Sequence, residues 1–167
     1  MKKTGLFYGT TSGSTKKVAE LIKKEMGADS VDIYDIKNTK PEDILQYENL
    51  IFGTSAWGIG DMQDDWELLI DDIVDLDFTG KKIALFGLGD QENYPGSFAD
   101  GMGTIYCRLP VKDQIVGFTS TRGYKYYFSS AEKDGKFVGL AIDHDSQADK
   151  TPERVKKWAA QLKKEFN

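Results

Sequence analysis

Seven consecutive residues, Gly9, Thr10, Thr11, Ser12, Gly13, Ser14 and Thr15, bring five hydroxyls and two glycines into one short stretch. Small residues of this kind leave backbone N–H groups accessible, and at a helix start those groups and the helix dipole favour an anion. The stretch suits a phosphate, the plainer alternative being a hydroxyl-rich turn. It does not suit a nucleoside triphosphate, whose loop needs glycine and lysine where Ser14 and Thr15 stand. Lys16 and Lys17 follow and read as solvated side chains rather than phosphate ligands. Two further stretches each offer an aromatic plane: Ser55, Ala56, Trp57, Gly58, Ile59, Gly60 and Asp61, and then Leu88, Gly89, Asp90, Gln91, Glu92, Asn93 and Tyr94. A lone loop tryptophan more often packs than stacks on a ligand, but two aromatics facing one another suit a flat ring. Gly87 and Gly89 begin a dinucleotide fingerprint that fails at Glu92, where its third glycine belongs. Neither His144, the only histidine, nor Cys107, the only cysteine, has the neighbours of a relay, nucleophile or metal site; His144 reads as a solvated loop residue.

The elements that must position these stretches follow from periodicity. Short apolar runs at residues 5–8, 31–36, 50–54 and 83–87 read as strands, and helical spacing separates them. Val18, Leu21, Ile22 and Met26 form one helix face; Trp66, Leu69, Ile70 and Ile73 another; Phe98, Met102, Ile105, Tyr106 and Leu109 a third. Pro41 suits a helix start, and residues 55–61 hold too much glycine for regular structure. The last helix is expected to have Thr151 as N-cap and Pro152 at its first position, with Val155, Trp158, Ala159, Leu162 and Phe166 inward. The fifth strand reads as split: residues 115–118 begin it, about 119–136 form an insertion rich in tyrosine, and residues 137–142 resume it. The insertion is expected to be a small β-flap, with a partner-docking surface as the alternative. This alternation predicts an α/β domain with a parallel sheet covered on both faces, and ligands of such sheets bind outside the carboxyl ends of the strands.

With 167 residues, 40% of them hydrophobic, the chain is expected to form a single domain, residues 1–167. A net charge of −5 argues against nucleic acid and anionic membranes and favours a basic protein partner. The lone cysteine fits a reducing compartment, and neither a leader's apolar stretch nor a membrane-length run stands out, so a cytoplasmic location is expected.

Taken in order, the Gly9 to Thr15 stretch, Trp57-Gly58-Ile59-Gly60-Asp61, Gly87-Leu88-Gly89-Asp90-Gln91 with Tyr94, and the run Lys136-Phe137-Val138-Gly139-Leu140-Ala141-Ile142-Asp143 resemble the flavodoxins of the long-chain group over essentially the whole chain. The resemblance implies a doubly wound five-stranded sheet of order 2-1-3-4-5, for which flavodoxins are the standard illustration. It implies one non-covalent flavin mononucleotide (FMN), a monomer, and a low-potential one-electron carrier shuttling between semiquinone and hydroquinone. The partners implied are basic redox proteins such as a flavodoxin/ferredoxin-NADP reductase, together with low-potential acceptor enzymes. By the same resemblance Thr10, Thr11, Ser12, Gly13, Ser14 and Thr15 hold the phosphate, and Trp57 and Tyr94 sandwich the isoalloxazine. Ser55, Ala56, Gly58, Ile59, Gly60, Leu88, Gly89 and Asp90 border the ring, and Asp145 lies at the ribityl rim. Ser12, the Ser55-Ala56 pair and Leu88 depart from the residues usual there, which bears on tuning.

Charge indicates what such a site does. The phosphate loop has no Lys or Arg, and Asp61, Asp64, Asp65, Asp90 and Glu92 lie near the ring stretches. At roughly 10 Å and an effective dielectric of about 20, each negative group opposes an added electron by about 1.7 kcal/mol, on the order of 70 mV. A neutral semiquinone escapes that repulsion, and Gly58, lacking a Cβ, is expected to let its peptide turn a carbonyl toward the flavin N5–H. The carboxylates from Asp61 to Asp77 read mainly as a solvated helix face that also steers basic partners. Two rivals are a flavin-dependent NAD(P)H:quinone reductase on the same fold and a phosphorylatable receiver domain, which would need an acidic pair where Gly9, Thr10 and Thr11 stand.

Overall fold

The computed structural model describes residues 2–57 and 61–167, with Ala56 and Trp57 by their backbone alone. Along the chain run β1 (Thr4–Gly9), α1 (Ser14–Met26), β2 (Val31–Asp35), α2 (Pro41–Ile44), β3 (Asn49–Trp57), β4 (Asp61–Met62), α3 (Asp64–Val74) and β5 (Lys82–Gly89). Then come α4 (Asp100–Arg108), β6 (Ile115–Val116), β7 (Thr119–Ser120), β8 (Glu132–Lys133), β9 (Lys136–Phe137), β10 (Leu140–Asp143) and α5 (Thr151–Glu165). The main sheet has the order β2-β1-β3-β5-β10, and every pair in it is parallel. Counting the divided last strand once, this is the 2-1-3-4-5 order expected.

Strand side chains alternate between faces, so a strand buried on both sides reads as a near-continuous apolar run. In β1, Phe7 joins one core with Leu50, Phe52, Ile83 and Leu85, while Leu6 and Tyr8 join the other with Ile51, Ala84 and Phe86. Helices α3 and α4 close the first core through Trp66, Ile70, Met102 and Ile105; α1 and α5 close the second through Val18, Ile22, Val155 and Leu162. Trp66 and Trp158 are buried, and each indole N–H donates to a backbone carbonyl, Gly53 and Gly117, at 2.8 Å. Both rings thereby contribute apolar area without an unpaired donor.

The fifth strand is interrupted as expected. β6 pairs with Ile83 and Ala84 of β5, β10 pairs with residues 86–89, and between them β7, β9 and β8 form a separate antiparallel sheet. Phe137 of this flap is fully buried against Phe98, Tyr124 and Tyr126, with ring centroids 5.9, 5.0 and 5.6 Å away.

Several local expectations are corrected. Residues 55–57 continue β3 rather than leaving it, because Ala56 and Trp57 pair with Met62 and Asp61 of the returning strand β4. β2 ends at Asp35, whose carboxylate accepts the Lys37 N–H and turns the chain into a 3-10 turn. Phe98 lies before α4, not within it, since Ala99 takes the left-handed region at φ 54°. Thr151 is the first residue of α5 and not its N-cap: a 3-10 turn at Ala148–Lys150 runs directly into the helix, and the Thr151 hydroxyl has no partner among the described residues.

Candidate functional site

The loops that follow β1, β5 and β10 meet the end of β3 at the carboxyl ends of the strands, where they line an open cleft of about 250 Å³. Its wall is made by Ser12 and Ser14 from the first loop, Ser55 from β3, Leu88, Gly89, Asp90, Tyr94 and Ser97 from β5 and beyond, and His144 and Asp145 after β10. The lining thus combines hydroxyls with an aromatic ring and an apolar side chain.

The chemistry of the first loop suits an anion. The Thr10 hydroxyl accepts the Gly13 N–H at 2.9 Å, which turns the chain tightly, and Gly13 completes the turn at φ 93°, a conformation open chiefly to glycine. Thirteen residues of helix then start at Ser14 with no acidic side chain in the first turn, although Lys23 and Lys24 occupy the last. The negative end of α1 is thus compensated and its positive end is left for something else. Ser12 Oγ lies 3.3 Å from Ser14 Oγ, and the Thr15 hydroxyl is buried with no hydrogen-bond partner among the described residues. Burial of an unpaired hydroxyl is costly and calls for an acceptor.

The β5 loop is held by Asp90. Its carboxylate accepts N–H groups from Glu92 and Asn93 at 3.1 Å, the Asn93 side-chain amide at 2.7 Å and the Ser146 hydroxyl at 3.4 Å. Desolvation alone would raise the Asp90 carboxyl, but these hydrogen bonds outweigh it and hold the group below the usual carboxylate range. Asp143, fully buried, accepts the Gln91 N–H and both the N–H and the hydroxyl of Ser146, tying the β5 loop to the β10 loop. These bonds hold Tyr94 at the cleft, where the residue is 55% exposed. Beyond it, Tyr127 and Phe128 donate their N–H groups to the Pro95 carbonyl and extend an exposed aromatic margin onto the flap.

Of the residues expected to bind, Ser12, Ser14, Ser55, Leu88, Gly89, Asp90, Tyr94 and Asp145 meet at one cleft. Thr10, Thr11 and Gly13 belong to the loop beside it and Thr15 to the first turn of α1; Thr11 Oγ1 accepts from Gln63 at 3.4 Å. Gly58, Ile59, Gly60 and the side chains of Ala56 and Trp57 lie outside the described residues, and with them the Trp57 half of the sandwich and the Gly58 turn. His144, expected to be a loop residue, lies in the turn after β10 and is partly exposed in the wall of the open cleft. Ser97 and Gln63 escaped sequence reasoning, because neither has a signal apart from the tertiary approach that brings it to the site.

A doubly wound α/β sheet with an anion-accepting helix start and an aromatic-edged cleft at its switch point defines the class of mononucleotide-binding domains. The flavodoxin family model matches residues 6–158. A flavodoxin of Nostoc sp. is 46% identical over 99% of this chain and 98% of its own length, and flavodoxin 1 of Escherichia coli is 41% identical over 98% and 94%. A Fusobacterium nucleatum flavodoxin bound to flavin mononucleotide superposes with a TM-score of 0.94 at 36% identity, covering all of both chains. The chain therefore belongs to the flavodoxin family.

Proposed function

We propose that this protein holds one FMN non-covalently and carries electrons singly between redox partner proteins. The observation that carries the reading is the head of α1, where a left-handed Gly13, an uncompensated helix start and the unpartnered buried Thr15 hydroxyl fit a phosphate monoester. When bound, FMN supplies reversible one-electron chemistry through its isoalloxazine ring.

The chain's own part is to bind, to cover and to set charge. Thr10, Thr11, Ser12, Gly13, Ser14 and Thr15 would hold the phosphate with neutral donors, leaving its charge in place. Trp57 and Tyr94 would exclude water from the two ring faces, with Ser55, Ala56, Gly58, Ile59, Gly60, Leu88 and Gly89 along its edge. Asp90 and Asp145 at the cleft oppose added negative charge and favour a low potential.

Flavodoxins are electron-transfer proteins rather than enzymes, so the quinone-reductase alternative is not favoured. The divided fifth strand supports membership of the long-chain group. The net charge of −5 supports basic partners, a flavodoxin/ferredoxin-NADP reductase among them, and low-potential acceptor enzymes. A single-domain monomer working in the cytoplasm completes the reading, and no helix among the described residues is long and apolar enough to cross a membrane.

The test is a titration of flavin-free protein with FMN, followed by its absorption and fluorescence. Stoichiometric uptake is expected, with NADPH oxidation only when a separate reductase is added. Protein that stays colourless in excess FMN overturns the proposal.

A further inference from the structure

The β5 and β10 loops serve a second hollow. Asp90, Tyr94, His144 and Asp145 line the cleft, whereas Gln91, Glu92, Pro95, Ser146 and Gln147 line a wider groove of about 960 Å³ that residues 123–127 of the flap complete. The flap segment is pinned there by its backbone: the Lys125 N–H donates to Gln91 Oε1 at 2.6 Å, and the Tyr127 N–H to the Pro95 carbonyl at 2.7 Å. Gln91 is buried and donates its own N–H to the Asp143 carboxylate, so the anchor is firm. Tyr127 nevertheless stands 88% exposed at the groove, an aromatic plane on a fixed backbone. Charge here runs against the rest of the molecule. In a chain of net charge −5, the groove holds Lys125 and Lys150 against Glu92 alone, and neither lysine is ion-paired among the described residues. The Arg154 guanidinium adds positive charge 3.9 Å from the centre of the Tyr124 ring, its Nη1 buried without a partner among the described residues. Gln147 Nε2 donates to the Gly123 carbonyl at 3.0 Å, while its Oε1 is buried and likewise unpartnered. Buried polar atoms are ordinarily satisfied, so this acceptor calls for a donor.

We infer that this groove is a second binding site, for a nucleoside phosphate: the base stacks on Tyr127, the phosphate lies between Lys125 and Lys150, and Gln147 Oε1 accepts from a ligand amine or hydroxyl. Each alternative leaves part of the lining unused. A bare inorganic anion has no use for the exposed aromatic plane or the unmet acceptor, and a neutral ring leaves two ammonium groups without a counter-charge. Stacking tolerates any base, because every base has a flat face, and the ammonium groups supply charge-assisted hydrogen bonds to phosphate oxygens. The volume lies within the range of small-molecule sites. None of these residues belongs to the Thr10 to Thr15 loop, so the groove can fill while the cleft is occupied, and the inference does not rest on the FMN reading.

The experiment uses the full chain saturated with FMN, so that the probe cannot enter the phosphate loop, and titrates it with ADP while backbone amide chemical shifts are followed. Saturable binding is expected, with the shifts concentrated at Gln91, residues 123–127, Gln147 and Lys150. Adenosine and inorganic phosphate, each carrying half of the ligand, should bind about tenfold more weakly than ADP or worse. Tyr127→Ala should weaken ADP about tenfold, and Lys125→Gln combined with Lys150→Gln about as much, while FMN binding is unchanged. All three side chains are exposed or at the groove rim, and the shifts of the unaltered chain decide the matter if a variant fails to fold. No saturation in the millimolar range, shifts centred elsewhere, or variants that bind ADP like the unaltered chain overturn the site. Inorganic phosphate binding as well as ADP would make it a plain anion site and overturn the nucleoside assignment. An acidic, tyrosine-bearing peptide that shifts the same amides where ADP does not would give the groove to a protein partner, and overturns it too. Failure to take up FMN would count against the functional reading alone, and ADP shifts in the flavin-free chain would still decide this one.

Discussion

At the scale of single residues, Thr15 makes the sharpest demand on a ligand. Its hydroxyl is 1% exposed and unpartnered, and a hydrogen bond to a charged group contributes about 1.5–3 kcal/mol. Thr15→Val should therefore weaken FMN binding about ten- to a hundredfold and leave riboflavin binding unchanged, while the flavin-free protein holds or gains thermal stability. Calorimetric titration with both flavins checks this, and equal loss for the two would refute it. Asp90 bears on pH. Its folded-state carboxyl lies below the ordinary value, so its stabilising effect is present above about pH 4, the unfolded range, and is lost as pH falls through the folded value. Asp90→Asn should lower the stability of the flavin-free protein at pH 7, with the gap to the unaltered chain closing below about pH 4. Denaturant titrations across pH 2–7 measure it; a gap that persists in acid would contradict the assignment. The Thr10 to Thr15 stretch was legible in sequence because its chemistry is local. Gln63 and Ser97 were not, since their roles depend on which backbone folds against them.

At the scale of elements, the runs buried on both faces were legible because a covered parallel strand is a near-continuous apolar run, as Leu6, Phe7, Ile51 and Phe52 show. Boundaries were less so. Nothing in Ser55, Ala56 and Trp57 announces that Asp61 and Met62 return to pair with them, nor in Ala99 that its backbone is left-handed. Cross-strand partners and strained turns are tertiary facts. Phe137 anchors the flap, fully buried among three aromatic rings. Phe137→Ala should cost about 3–5 kcal/mol in chemical denaturation. A loss under 1 kcal/mol would mean that the flap contributes little to the core.

At the scale of the whole molecule, charge is distributed unevenly. Asp61, Asp64, Glu67, Asp72, Asp75 and Asp77 are exposed, and within the Asp61 to Asp77 run Asp71 alone is ion-paired among the described residues, to Arg108. The run starts at β4, next to the β3 strand that brings Ser55 to the cleft, so its field would guide a basic partner toward the exposed Tyr94. The bimolecular rate of electron transfer with a basic reductase should fall about tenfold or more between low ionic strength and 0.5 M salt. Stopped-flow rates indifferent to salt would remove that role.

The broken fifth strand has a consequence for solubility. An outermost strand normally displays a row of unpaired amides on which another chain can template itself, the first step toward aggregation. Here that border consists of a two-residue and a four-residue piece, and the carbonyls of Gly139 and Ala141 are already taken by the hydroxyls of Thr119 and Tyr124. The interruption therefore works as a guard, and Tyr124→Phe together with Thr119→Val should make concentrated solutions scatter more light over time than the unaltered chain does.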